Sequence, residues 1–109
     1  MVSEKNISDA LTYLAMDPHP IAEARFNLTK AENKSRELFA SLFMKSNEKT
    51  NDAKRAGVEC RTEYVAAKQT EADAVFEYER HKSRVRAAEM LIEIFRTENA
   101  NMRAAEKIR

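Results

Sequence analysis

The sequence contains little of what a β-sheet protein or a disulfide-bonded protein needs. Its 109 residues include one glycine, two prolines, one cysteine and no tryptophan. Tight turns between strands rely on glycine and proline, so their scarcity argues against a sheet. A single cysteine, Cys60, excludes a disulfide within the chain and is typical of a reducing cytosol. One glycine is also too few for a glycine-rich phosphate loop.

Long apolar runs and a dominant charge are missing as well. No segment approaches the roughly 20 apolar residues of a membrane-spanning helix, and the first ten residues lack the apolar core of a signal peptide. Nineteen basic and eighteen acidic side chains nearly cancel. The whole chain therefore has no net field that would draw it to nucleic acid or an anionic membrane. We expect a cytoplasmic protein without membrane contact.

What the sequence does contain favours helices. Seventeen alanines occur with abundant glutamate, lysine and arginine, and these side chains lose little conformational freedom in a helix. The segments DPHP and KSNEKTND predict breaks. Ser8 is the expected N-cap of the first helix, and Pro20 suits the first turn of the second. We predict one helical domain over 1–109, with helices at about 7–16, 20–45, 52–65 and 67–107.

The two long helices each carry an apolar stripe in alternating steps of three and four residues. The stripes are Ile21, Ala24, Leu28, Ala31, Ser35, Leu38 and Leu42 in one helix, and Val75, Tyr78, His81, Val85, Ala88, Ile92, Phe95, Asn99 and Met102 in the other. Such stripes favour coiled-coil-like pairing. The predicted fold class is all-α, an elongated antiparallel helical hairpin with short additional helices.

The stripes also suggest a register for the hairpin. If Leu42 faces Val75, Ser35 faces Lys82, and the last eleven residues extend past the start of the second helix. The first helix then remains to cover Met102 and Ile108. In the third helix Ala56, Cys60 and Tyr64 share a face, which we expect to pack against Phe39, Phe43 and Met44.

Large apolar side chains are left over after this pairing. Phe76, Met90, Leu91 and Ile94 predict a second apolar face and hence a homo-oligomer, with a dimer favoured. The predicted packing or oligomer interface comprises Leu11, Leu14, Phe76, Leu91, Ile94, Phe95, Asn99 and Met102. Asn99 has two interpretations: a polar residue on the stripe that fixes register, or one that faces water where its partner helix has ended.

Catalytic and metal-binding patterns are weak. Cys60 with His19 or His81 is the only nucleophile and base combination of this kind, and we interpret both histidines as capping or packing residues. Two histidines and one cysteine lack the spacing of metal ligands. Glu89 and Glu93 share a helical face without the Glu-x-x-His of di-iron bundles. We predict no enzyme activity, no metal and no cofactor.

The segment RHKSRVR at 80–86 is the strongest local charge feature. Arg80, Lys82, Arg84 and Arg86 could contact phosphates, which makes a nucleic-acid-binding protein the alternative function. The preceding acidic segment offers i, i+3 partners, Glu77 for Arg80 and Glu79 for Lys82. An ion-paired surface is the simpler interpretation.

Two sequence elements carry a resemblance to a known group of proteins. They are EKTNDAKRAGVECRTEYVAA and, after a long amphipathic helix, IEIFRTENANMRAA. From about residue 48 onward the chain resembles small helical proteins of unknown function encoded by tailed bacteriophages and prophages, often beside recombination or single-strand-binding genes. The resemblance implies an accessory role in phage DNA metabolism, a phage or host protein partner, and the cytoplasm of the bacterial host. The expected function is a non-enzymatic, oligomeric interaction protein.

Overall fold

The computed structural model describes residues 1–108 and contains four α-helices. They are α1 (Glu4–Leu14), α2 (Pro20–Lys45), α3 (Asn51–Glu59) and α4 (Thr62–Ile108). No strand occurs in these residues, so the predicted all-α class is confirmed. Arg109, the last residue of the predicted domain, lies outside the described residues.

Contacts within the chain divide it into two compact units. The central unit runs from Ala22 to Glu79, and the terminal unit combines Met1–Ile21 with the part of α4 from Arg80 onward. The two units are described separately below.

In the central unit α2 pairs with the first part of α4 in antiparallel fashion. The Phe39 and Tyr64 rings lie 5.6 Å apart between centroids, and the Arg25 guanidinium lies 5.5 Å from the Tyr78 ring centroid. Positions earlier in α2 thus meet positions later in α4. The predicted α2 stripe is confirmed, because its buried residues are Ala24, Leu28, Ala31 and Ser35.

The predicted register of this pair is wrong. Ser35 Oγ donates a hydrogen bond to Glu71 Oε2 at 2.6 Å, whereas the stripes suggested that Ser35 would face Lys82. Glu71 lies eleven residues before Lys82, a distance of about 16 Å along a helix. The observed register joins a buried hydroxyl to a carboxylate, and it places Phe39 against Tyr64.

The third helix ends earlier than predicted and buries a different face. Thr50 is its N-cap, accepting from the Ala53 N–H at 3.1 Å, and Cys60 is its C-cap. Val58 is only 3% exposed, while Ala56 and Cys60 are exposed. Tyr64 belongs to α4 rather than to α3, so the predicted face of Ala56, Cys60 and Tyr64 is wrong.

The predicted packing partner of this region is confirmed in part. Phe39 and Phe43 stack with centroids 6.0 Å apart, and Lys54 of α3 lies 5.5 Å from the Phe43 ring centroid. Met44, which we expected to join them, is 83% exposed. Lys54 and Val58, one turn apart, form the buried side of α3 in place of Ala56 and Cys60.

In the terminal unit α1 packs along the middle of the α4 segment. Ala10, Tyr13 and Ala88 form a buried cluster, against which Leu14, Val85 and Ile92 pack. The Val2 N–H donates to Glu98 Oε2 at 3.2 Å.

The position of α1 corrects two predictions. Met102 is 48% exposed and Ile108 is 87% exposed, so the first helix does not cover them as expected. Ser3 rather than Ser8 is the N-cap, accepting from the Asn6 N–H at 3.1 Å. Because the helix begins at Glu4, Ile7 and Ala10 are both available for burial.

His19 acts as a cap for α2. Its Nδ1 accepts a hydrogen bond from the Ile21 N–H at 3.1 Å, and its ring meets the Tyr13 ring edge-on at 4.7 Å. Pro20, the first residue of α2, has no N–H to satisfy. The interpretation of His19 as a capping and packing residue is confirmed.

Candidate functional site: an exposed face of α4

The terminal unit exposes one continuous side of α4. The positions follow the alternating three and four spacing of a coiled-coil seam, and every one of them is exposed: Ser83, Ala87, Met90, Ile94, Thr97, Asn101, Ala104 and Ile108. We call this set the outer stripe. It lies on the opposite side of α4 from Val85, Ala88 and Ile92, which meet α1. The same helix therefore has one packed side and one open apolar side.

The centre of the outer stripe holds two of its three large apolar side chains, and the third, Ile108, lies at its end. Met90 is 65% exposed and Ile94 is 44% exposed. Their neighbours along the stripe, Ala87 and Thr97, are small. The Thr97 hydroxyl donates to the Glu93 carbonyl at 3.0 Å, so its polar group is satisfied within α4. A second helix could approach closely here without burying an unpaired hydroxyl.

The predicted interface residues are divided between packed and open positions. Leu14 packs against the core of the terminal unit, and Leu91, Phe95 and Asn99 are partly buried. The exposed ones are Leu11, Phe76, Ile94 and Met102. The prediction did not include the small and polar members of the outer stripe. The heptad spacing from Ser83 to Ile108 was the signal that could have found them.

Asn99 belongs to the packed side of α4 and is partly buried. Its carbonyl oxygen accepts from Arg103 Nε at 3.4 Å. The two interpretations of its side chain stay predictions. Asn101, two residues later, is the asparagine on the outer stripe.

Charged residues flank the outer stripe on both sides. On the side next to α1, the Arg84 guanidinium lies 4.1 Å from the Tyr13 ring centroid, and Glu98 accepts from Val2. On the other side are Arg86 and Glu93, and Glu93 forms an ion pair with Arg96 at 3.9 Å. Arg84 and Glu98 are therefore held in place at one edge of the apolar surface.

The four predicted nucleic-acid contacts do not form a single basic surface. Successive residues of a helix are 100° apart, so Arg80 and Arg84 lie on one side of α4 and Lys82 and Arg86 on another. Arg80 and Lys82 each have an interaction partner, and Arg84 lies over Tyr13. Arg86 is exposed. Three of the four cations already have roles within the chain.

The central unit has an open polar groove between α2, α3 and α4. Its charged lining residues balance, with Arg36, Arg55 and Lys68 against Glu32, Glu59 and Glu71. Hydrogen bonding from Ser35, with a contribution from Lys68 at 3.1 Å, holds the pKa of Glu71 below its usual value of 4.5. These contacts join the helices to each other, and the balanced charge selects for no ligand of either sign.

The candidate nucleophile and its two candidate bases lie far apart in the sequence, and each has a different structural environment. Cys60 is exposed at the end of α3. His19 caps α2, and His81 is partly buried and has interaction partners. Among residues 1–108, no group of three or more histidine, cysteine, aspartate or glutamate side chains is arranged to hold a metal ion.

Two further findings bear on function. Within the described residues, none of the helices combines the length and apolar character needed to cross a membrane. Comparison with protein-family models, with curated proteins and with solved structures found no match.

Proposed function

We propose that the protein is a non-enzymatic interaction protein that works as a homo-oligomer, with a dimer as the basic form, and that the outer stripe of α4 is its association surface. The observation that supports this most is the exposure of Met90 and Ile94 at heptad spacing on a helix whose other side is already packed. An amphipathic helix with two apolar sides gains free energy when the second side is also covered.

The biological setting rests on the resemblance described above. Small helical phage proteins of this kind suggest an accessory role in phage DNA recombination or replication, carried out in the bacterial cytoplasm with a phage or host protein as partner. An oligomer without its own chemistry fits such a role, because it can hold other components together.

The alternative function, nucleic-acid binding through Arg80, Lys82, Arg84 and Arg86, has less support. The four cations diverge around α4, and Arg84 is stacked on Tyr13. Phosphate binding by so few contacts would depend steeply on salt. A mobility shift of DNA that weakens with salt and is lost in Arg86→Ala would favour this alternative.

Sedimentation velocity over a range of protein concentrations tests the proposed association. We expect a dimer for the wild-type chain and a shift toward monomer in Met90→Lys, because the substitution places a charge in the centre of the apolar surface. Phe26→Lys is a matched control, since Phe26 is similarly exposed, at 67%, but lies on α2 in the central unit. It should leave the dimer intact. A wild-type chain that remains monomeric well above micromolar concentration would contradict the proposal.

A further inference from the structure

We infer that the outer stripe binds a second copy of this chain in antiparallel orientation, with the two α4 helices crossing their symmetry axis close to residue 92. This inference rests on the proposed function, since it specifies how the dimer is built.

The side chains along the outer stripe match each other in an antiparallel pair. In an antiparallel pair centred near residue 92, Met90 faces Ile94 of the second copy, and the reverse contact follows from symmetry. The next layers outward join Ala87 to Thr97 and Ser83 to Asn101, again in both directions. Met90 and Ile94 thus meet at the centre, with small residues beside them. Asn101 and Ser83 provide donor and acceptor groups for each other.

The charges at the edge of the outer stripe next to α1 are complementary between the two copies. In the antiparallel arrangement Arg84 of each copy lies opposite Glu98 of the other, which gives two favourable pairs. Both side chains are already positioned within their own chain, Arg84 by the Tyr13 ring at 4.1 Å and Glu98 by the Val2 N–H at 3.2 Å. The one unfavourable contact is Glu93 with its own copy across the axis.

A parallel pair of the same helices is less favourable. It would place Glu93 of each copy beside Glu98 of the other, which is two repulsive contacts. Asn101 facing Asn101 is favourable in parallel dimers, but it does not remove the two repulsive contacts between Glu93 and Glu98. Glu79 finds a basic partner in either arrangement, Arg84 in the parallel and Lys107 in the antiparallel pair. It therefore does not decide between them.

The charges decide orientation more than affinity. Exposed ion pairs contribute little to stability, while like charges placed together disfavour the wrong arrangement. The apolar contact of Met90 with Ile94 supplies attraction, and the Arg84 and Glu98 edge selects direction.

Disulfide crosslinking between two different single-cysteine variants tests the orientation. The background is Cys60→Ser, because Cys60 is exposed and would crosslink by itself. One preparation carries Ala87→Cys and the other, with a purification tag that changes its size, carries Thr97→Cys. Both positions are exposed in α4, and a disulfide requires Cα atoms within roughly 7 Å.

The antiparallel arrangement predicts that the mixed disulfide forms and that neither variant crosslinks with itself. Two Ala87→Cys copies would be offset by ten residues, about 15 Å along the helices. Glu89→Cys, exposed but outside the stripe, is the control that should remain uncrosslinked. Self-crosslinking of Ala87→Cys would show a parallel pair and overturn the inference.

Sedimentation of the same preparations separates this inference from the proposed function. A dimer without the mixed disulfide overturns only the antiparallel arrangement. A monomer overturns the association itself.

Discussion

At the residue scale, the hydrogen bond from Ser35 to Glu71 is the contact that fixes α2 against α4. Ser35 is 5% exposed, and its hydroxyl is 2.6 Å from the carboxylate. Net contributions of hydrogen bonds to a charged group are about 1.5–3 kcal/mol. Together with the contacts of Phe39 with Tyr64 and of Arg25 with Tyr78, the bond distinguishes the observed register from one shifted by whole turns.

We predict that Ser35→Ala lowers the free energy of unfolding at neutral pH by about 1–2 kcal/mol. Ser41→Ala is the matched control, because Ser41 is exposed on the same helix and reports the helix propensity gained with alanine. Urea unfolding followed by circular dichroism measures both variants. Equal stability of the two would show that the bond contributes nothing.

The same bond predicts a pH dependence. The pKa of Glu71 is lowered from 4.5, chiefly by the Ser35 hydrogen bond. Its contribution to stability is therefore complete above the pKa of the unfolded chain, and it is lost as the pH falls below about 4.5 through the lowered value. The difference between wild type and Ser35→Ala should shrink over that interval. A difference that grows on acidification would contradict this assignment.

At the scale of elements, the existence of the four helices could be predicted, but the boundary between α3 and α4 could not. The break at KSNEKTND is visible because capping residues cluster there, and Thr50 does cap α3. The second break, at Cys60 and Arg61, has neither glycine nor proline to mark it. The chain turns there because Val58 is buried on α3 while Tyr64, six residues later, packs against the Phe39 ring, and local propensity does not carry such tertiary contacts.

The predicted register of α2 against α4 was wrong for a related reason. A stripe with steps of three and four repeats itself every seven residues, so a shift along α4 still places apolar residues against apolar residues. Only specific contacts such as Ser35 with Glu71 decide it. The position of α1 followed the same error, because the predicted register left the wrong part of α4 uncovered.

The single glycine gives a prediction about α3. Gly57 lies inside the helix, and a Cβ built there meets no atom within 4 Å. Gly57→Ala should therefore raise the free energy of unfolding by up to about 1 kcal/mol, because alanine loses less conformational freedom in a helix. Ala56→Gly, at the neighbouring exposed position, should lower it by a similar amount. The urea midpoints of the two variants should move in opposite directions, and a destabilised Gly57→Ala would contradict the packing described for α3.

At the scale of the whole molecule, the sequence indicated surplus apolar surface but not its pattern. Met90 and Ile94 stand out in the sequence as surplus apolar residues. The stripe positions on either side of them, Ser83, Ala87, Thr97 and Asn101, are small or polar and do not mark a seam. The outer stripe can be recognised only once the opposite side of α4 is known to pack against α1 and the core of the terminal unit. The candidate site thus depended on knowing what α4 already covers.

The proposed dimer has a consequence for thermal stability. When association involves the folded chain and not the unfolded one, mass action makes the midpoint of thermal unfolding rise with protein concentration. We expect this rise in the wild-type chain over a hundredfold range of concentration, measured by circular dichroism. Met90→Lys should abolish it while leaving the helical signal unchanged at low temperature, because Met90 is 65% exposed in its own chain. Phe26→Lys should retain the dependence. If the wild-type midpoint did not change with concentration, unfolding would not be coupled to association, and the outer stripe would contribute nothing to stability.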